Sequence, residues 1–287
     1  MVNLKEKYAL VTGGTNGIGF VTALELARMG ISVVIVGRNE ERCREAVNRI
    51  GDETGNPAIR YMAADLSDMR AVRLLAQAYR AKFNQLDILV NNVGAIFMKR
   101  QESIDGLEMT FALNHMSYFV LTQELLPIIQ HTADHDAEFG ARIVNVSSGA
   151  HLIPMNWEDI QFQRGYNGFR AYGQSKHMNV LFTYELAKRL EGTGITANAL
   201  HPGAVATNFM RDNGWLGKVY SSLAQVFQKS PQEGAKTSIY LATSPDVQNV
   251  NGKYFDNCAE QKSSPATHDP EAWSRLWEIS QQIAERI

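Results

Sequence analysis

Tyr172 and Lys176 stand four residues apart in Tyr-Gly-Gln-Ser-Lys, where a long helical pattern opens. That spacing puts a phenol and an ammonium on one helix face, one turn apart. A free tyrosine has a pKa of about 10 and is a poor base at neutral pH. A neighbouring ammonium favours the phenolate, so Lys176 is expected to help lower that value. The pair is common by chance and means little alone. What gives it weight is an apolar run upstream, Arg142–Val146, that ends in Ser147-Ser148. A hydroxyl from either serine could join the phenol in binding an oxygen on which negative charge grows.

A second constellation lies near the N-terminus, in Tyr8-Ala-Leu-Val-Thr12-Gly13-Gly14-Thr15-Asn16-Gly17-Ile18-Gly19. Gly13 permits a tight turn, Gly17 lets the backbone approach a pyrophosphate, and Gly19 allows close packing of helix on strand. The N–H groups of the helix that follows, with its positive dipole end, face an anion. Thr15, Asn16 and Ile18 complete this cradle. A glycine turn alone is weak evidence, but this one sits between a buried strand and an apolar-period helix, which points to a dinucleotide. An NAD-type site needs a carboxylate at the end of the second strand for the ribose 2′-OH. Here that strand ends in Gly37-Arg38-Asn39, with no acid at its tip. Arg38 offers a planar fork suited to a 2′-phosphate, so NADP(H) is the expected cofactor. The positive charge of its bound nicotinamide would favour the Tyr172 phenolate as the ammonium does, so the two together are expected to lower that pKa.

The elements that must position these groups alternate along the chain. Candidate strands are Tyr8–Val11, Ser32–Val36, Arg60–Ala63, Ile88–Val90, Arg142–Val146, Thr196–Leu200 and Lys253–Phe255. Helical patterns lie near 18–29, 40–50, 69–83, 107–130, 172–191 and 231–243. Short apolar strands alternating with helices imply an α/β, doubly wound parallel sheet. Neither a repeat nor a linker divides the chain, so 1–287 reads as one domain. Three stretches look like additions: a polar loop at His131–Gly140, an aromatic loop at Gly149–Ala171 and a lid at about 203–230. The lid's apolar stripe includes Trp215, Leu216, Val219, Leu223, Val226 and Phe227. A C-terminal helix, Asp269–Ile287, carries Trp273, Leu276, Trp277, Ile279 and Ile283, a stripe that must be buried.

Composition narrows the setting. Apolar residues make up 45% and charged residues 20%, with a net charge of −2, which gives no reason to expect nucleic acid. Two cysteines, Cys43 and Cys258, form no cluster and suggest a reducing compartment. No run approaches the length of a membrane span and no leader precedes the first strand, so a soluble, cytoplasmic protein is expected. His115, His151 and His201 lack metal-ligand spacing, and structural or solvated roles are expected of them, with no metal.

The glycine spacing, GxxxGxG, resembles that of the short-chain dehydrogenase/reductase family, and the resemblance runs through nearly the whole chain. It implies a Rossmann fold, with Asp65-Leu66 at the adenine. It makes Asn91-Asn92-Val93-Gly94 the equivalent of a family motif at the cofactor, with Asn92 and Gly94 as contacts. Asn114, Ser148, Tyr172 and Lys176 match the catalytic positions, and the resemblance selects Ser148 over Ser147. Pro202, Val205 and Thr207 match the nicotinamide clamp. The implied reaction is hydride transfer to a carbonyl, with Tyr172 delivering the proton. Lys176 would hold the nicotinamide ribose and Asn114 a relay water. Further motifs, among them Gly37-Arg38-Asn39 and Arg142–His151, look closest to the retinol dehydrogenase-like branch, which reduces apolar aldehydes with NADPH. Ile96, Phe97, Met98, Trp157, Phe162, Phe209, Met210 and Trp215 would then line a site for a small apolar carbonyl or alcohol, and the same residues could equally pack in the core. Homo-oligomers through helices beginning near Leu107 and Tyr172 are also implied, a surface the C-terminal helix could alter. Two rival readings are a light-dependent protochlorophyllide reductase, which lacks a cysteine near Tyr172 here, and a sensor that binds NADP(H) without turnover. The complete Asn114–Ser148–Tyr172–Lys176 set argues against the sensor.

Overall fold

The computed structural model describes residues 3–203 and 230–287, so the expected lid falls outside the described residues. Five parallel strands form the centre: β1 (Tyr8–Thr12), β2 (Ser32–Gly37), β3 (Ile59–Ala63), β4 (Ile88–Asn91) and β5 (Ala141–Val146). β6 (Ile195–His201), β7 (Tyr254–Asp256) and β8 (Ala259–Gln261) extend the sheet to the order β3-β2-β1-β4-β5-β6-β7-β8. All pairings are parallel except β7 with β8. β1 has β2 on one side and β4 on the other, so the order reverses there and a crevice opens beyond their carboxyl ends. Both glycine-bearing turns, after β1 and after β4, lead into that crevice.

Helices cover both faces, which is why the central strands are apolar without alternation. On one face α1 (Gly17–Arg28), α2 (Glu40–Thr54) and α6 (Pro231–Thr243) pack over Ala9, Val11, Val33 and Ile35. On the other, α3 (Met69–Lys82), α4 (Ser117–His135) and α5 (Gly168–Arg189) pack over Leu10, Val34 and Leu89. Neighbouring residues of one strand thus serve opposite cores.

Several boundaries differ from the sequence expectation, each for a tertiary reason. The loop expected at His131–Gly140 begins only at Asp136, because α4 continues through buried Thr132 and Ala133. Thr132 Oγ1 donates to Ile128 O at 2.8 Å and accepts from Leu86 N at 2.9 Å, so its polarity is spent inside. The helix expected from Leu107 is broken: a single α turn at Met109–Phe111 passes into a π-helical stretch, Ala112–Met116, before α4. α5 starts one turn before Tyr172, with the Asn167 side chain capping it through Arg170 N. β8 was not expected. It returns from β7 through Asn257 and Cys258, with φ of 51° and 60°, a two-residue hairpin without the usual glycine.

The C-terminal helix α7 (Pro270–Arg286) buries its stripe within the chain. Trp277 stacks on Phe182 of α5 at 6.0 Å and meets Phe119 of α4 edge-on at 5.1 Å. Trp273, Leu276 and Ile283 join the same core, whereas Ile279 does not. The helices through which copies were expected to pair therefore already carry an intramolecular partner. Trp277→Ala should cost about 3–5 kcal/mol of stability, read from the midpoint of guanidinium unfolding at constant slope.

Candidate active site

The turn after β1 is built by close approaches that side chains would block. Gly13 has φ 68°, and a Cβ there would lie 2.9 Å from Asn92 Nδ2. A Cβ on Gly19 would sit 2.3 Å from Gly13 O, so the first turn of α1 lies directly on the glycine turn. Thr12 and Asn92 stitch this turn to β4: Asn92 N and Val93 N donate to Thr12 Oγ1 at 2.8 and 3.1 Å, and Asn92 Nδ2 to Thr12 O at 2.8 Å. Asn92, expected at the cofactor, spends its amide on the protein. Asn16 caps α1 without a side-chain hydrogen bond, which leaves the N–H groups of Gly17, Ile18 and Gly19 to a ligand.

The four residues of the catalytic reading converge where β5, α5 and the π stretch meet. The Ser148 side chain stands close enough to the Tyr172 phenol to favour its phenolate. Ser147 faces the other way, buried, and donates to Lys176 O at 2.7 Å. The geometry therefore separates two adjacent serines that composition could not. Lys176 is 2% exposed, and among the described residues its ammonium has one acceptor, Val146 O at 3.0 Å. It lies 5.8 Å from the Tyr172 ring centroid and 5.6 Å from that of Tyr118. A Cβ on Gly94 would approach Lys176 Nζ to 3.2 Å and Asn114 Oδ1 to 3.5 Å, so that glycine makes room for the ammonium.

One expectation changes here. Burial pushes the Tyr172 phenol up to about 12, with the Ser148 hydrogen bond opposing, where a lowered value was expected. The reason is the desolvation of the phenol itself, and burial brings Lys176 down as well, to about 7. An ammonium half neutral near pH 7 gives the phenol only part of a unit charge. Asn114 Nδ2 donates to Ala95 O at 2.9 Å and Ser175 Oγ at 3.0 Å, and its Oδ1 accepts from Ala95 N at 2.9 Å. It braces the β4 turn against α5 from the π stretch, a frequent setting for functional residues.

Residues 7–214 match the short chain dehydrogenase family model. The chain belongs to the short-chain dehydrogenase/reductase family. It is 38% identical to retinol dehydrogenase 12 of Mus musculus over 283 residues, 98% of this chain and 87% of that protein. With polyprenol dehydrogenase of Homo sapiens the identity is 37% over 279 residues, 96% and 84% of the two chains. Among solved structures, an uncharacterised protein from Mycobacterium paratuberculosis superposes with a TM-score of 0.77 at 28% identity, covering 98% of this chain and 94% of that one. RhlG of Pseudomonas aeruginosa, in an NADP active-site complex, gives 0.70 at 31% identity, over 89% and 97%. This short-chain dehydrogenase is retinol dehydrogenase-like, an oxidoreductase of CH–OH and carbonyl groups with a nicotinamide cofactor.

The residues present fit such a cofactor. The uncapped start of α1 suits a diphosphate, and the buried Lys176 ammonium, with one acceptor, suits ribose hydroxyls. Past β2, Arg38 is exposed, and a cleft beside Thr15 and Asn16 is lined by Arg42 and Arg49. Arg42, one turn beyond Arg38, was missed by the sequence reading, although that spacing was its signal. Gly37 lacks an acid for a packing reason as well, since a Cβ there would meet Thr15 Cγ2 at 2.6 Å and Cys43 Sγ at 2.8 Å. Asp65 accepts from Ser67 N and Oγ, and Leu66 is buried beside it. Pro202 follows β6, whereas Val205 and Thr207 lie outside the described residues.

The apolar residues assigned to the substrate behave differently. Ile96, Phe97 and Phe162 are buried, and Trp157 packs on the core with Arg275 4.5 Å over its ring. Tyr166 Oη pins the loop by donating to Phe97 O at 2.7 Å. Met98 stays exposed, as do Leu152 and Phe169, while Phe209, Met210 and Trp215 lie outside the described residues. No helix among the described residues is long and apolar enough to cross a membrane.

The depressed lysine has a measurable consequence. Its value falls from 10.5 when unfolded to about 7 when folded, so between those values the unfolded chain binds more protons and stability rises with pH. Lys176→Met should therefore raise the melting temperature at pH 7, with the gain shrinking toward pH 10, in parallel thermal scans.

Proposed function

We propose that this short-chain dehydrogenase reduces apolar aldehydes or ketones to alcohols with NADPH, or runs the reverse reaction, with Tyr172 as its acid–base residue. The observation that carries the reading is the buried Lys176 ammonium one turn from Tyr172 and 5.8 Å from its ring, with the Ser148 side chain beside the phenol. When bound, the nicotinamide supplies or accepts the hydride. Ser148 and Tyr172 hydrogen-bond the substrate oxygen as negative charge grows there, and Tyr172 delivers the proton. A phenol held near 12 is protonated at neutral pH, which suits the donor in a reduction. Lys176 offsets the charge left on the phenolate and binds the ribose, and Asn114 holds the β4 turn beside it. The cradle comprises Gly13, Thr15, Asn16, Gly17, Ile18 and Gly19. Asp65, Leu66, Asn92 and Gly94 border the rest of the cofactor, and Pro202, Val205 and Thr207 the nicotinamide. Arg38, with Arg42 close by, supports NADP(H) over NAD(H), as does the NADP complex of RhlG.

An apolar substrate is supported by the names of the relatives, retinol and polyprenol dehydrogenases. Exposed Leu152 follows Ser148 by one short helix, and exposed Phe169 lies one turn before Tyr172. A cytoplasmic setting is proposed with the same function.

NADPH consumption against a panel of aldehydes, ketones and quinones tests the reading. Turnover with apolar aldehydes is expected, and tight NADPH binding without turnover of any compound would favour a sensor. Tyr172→Phe should abolish turnover while NADPH still quenches protein fluorescence; retained turnover would sink the mechanism. Arg38→Ala should raise the KM for NADPH about tenfold or more, the loss of a charge-assisted contact, and leave that for NADH nearly unchanged.

A further inference from the structure

We propose that His151 and His201 are positioning residues that clamp the Ser148–Gly149 peptide from opposite sides and so set the direction of the Ser148 hydroxyl. The inference rests on the reading that this hydroxyl binds the reacting oxygen.

The two ends of one peptide unit each meet an imidazole. Ser148 O lies 2.7 Å from His151 Nδ1 and also accepts from His151 N at 3.0 Å and Tyr254 Oη at 3.4 Å. Gly149 N donates to His201 Nδ1 at 2.9 Å. The tautomers follow from partners that can only donate or only accept. Ser264 N donates to His151 Nε2 at 3.0 Å, so that nitrogen carries a lone pair and Nδ1 carries the proton given to Ser148 O. His201 is the reverse, since its Nδ1 receives the Gly149 proton and a neutral ring then holds its own on Nε2. Burial favours the neutral form of His151, which is 5% exposed.

The clamp is itself held. Tyr254 of β7 lies against the His151 ring, with centroids 4.6 Å apart. His177 Nδ1, on the residue after Lys176, reaches His151 O at 2.7 Å. Ser148 is extended at φ −167°, ψ 160°, outside any helix, and its hydroxyl accepts from Ala150 N at 3.2 Å. Its orientation therefore follows the plane of the peptide that the histidines grip, and small misplacements of a reacting group carry large rate penalties.

Two substitutions divide the ring's duties. His151→Asn keeps a donor near Nδ1 and gives up the acceptor for Ser264, whereas His151→Gln keeps an acceptor near Nε2 and gives up the donor to Ser148. With an aldehyde reduced in the panel above, H151N should hold kcat within about threefold and H151Q should lose about tenfold to a hundredfold, with the KM for NADPH unchanged in both. Equal rates, or the opposite ranking, would overturn the clamp. Ser148→Ala measured alongside keeps the two readings apart: full activity there would discard the role of Ser148 itself. Independently of turnover, nitrogen-15 NMR of the labelled protein should find His151 neutral with its proton on Nδ1 and His201 neutral with its proton on Nε2. A His151 proton on Nε2 would overturn the inference.

Discussion

A lysine ammonium taken out of water beside the sheet is the interaction on which the remaining geometry depends. Burying such a charge costs several kcal/mol unless hydrogen bonds replace its hydration, and among the described residues Val146 O is the one acceptor Lys176 has. Gly94 leaves room for the ammonium, since a Cβ there would approach it to 3.2 Å, and Gly94 is placed by the Thr12–Asn92 stitching of β4 to β1. Asn114 then braces the adjoining turn to α5. The glycine turn, the β4 turn and α5 thus form one mechanical unit around a single unfavourable charge. Stability is spent where function needs it, a common trade at active sites.

That unit also explains why the phenol does not arrive already activated. Desolvation acts on both partners in opposite directions, raising the tyrosine and lowering the lysine. In the protein by itself the favoured pair is neutral phenol with partly neutral amine. A ligand that returns charge or hydrogen bonds to the amine would shift both.

How much was legible in the sequence depended on the range of the interactions. The β1–glycine–α1 unit and the Tyr172–Lys176 spacing are local, and their geometry follows from a few consecutive residues. Ser147 and Ser148 were indistinguishable in the residues themselves, and only tertiary structure shows that Ser147 donates to Lys176 O. The π stretch at Ala112–Met116 has no sequence signature of its own, because the pattern around it satisfies an ordinary helix. Asn257-Cys258 concealed a hairpin because the usual cue is a glycine. Apolar residues near a site read equally as lining or as core, and of those named Phe97 and Phe162 are buried while Trp157 packs on the core. His151 and His201 looked like bystanders because the groups their rings meet at Ser148 and Gly149 are backbone atoms, which no residue pattern can display.

The C-terminal helix has a consequence in time rather than in space. Ser280 meets His115 at 2.8 Å beside the π stretch, Trp277 seals α4 to α5, and Ser264 holds the ring behind Ser148. Each of these contacts joins the last third of the chain to a part made long before. During synthesis the nucleotide-binding half can therefore assemble as soon as it emerges, while the catalytic half waits, its aromatic face uncovered, until α7 leaves the ribosome.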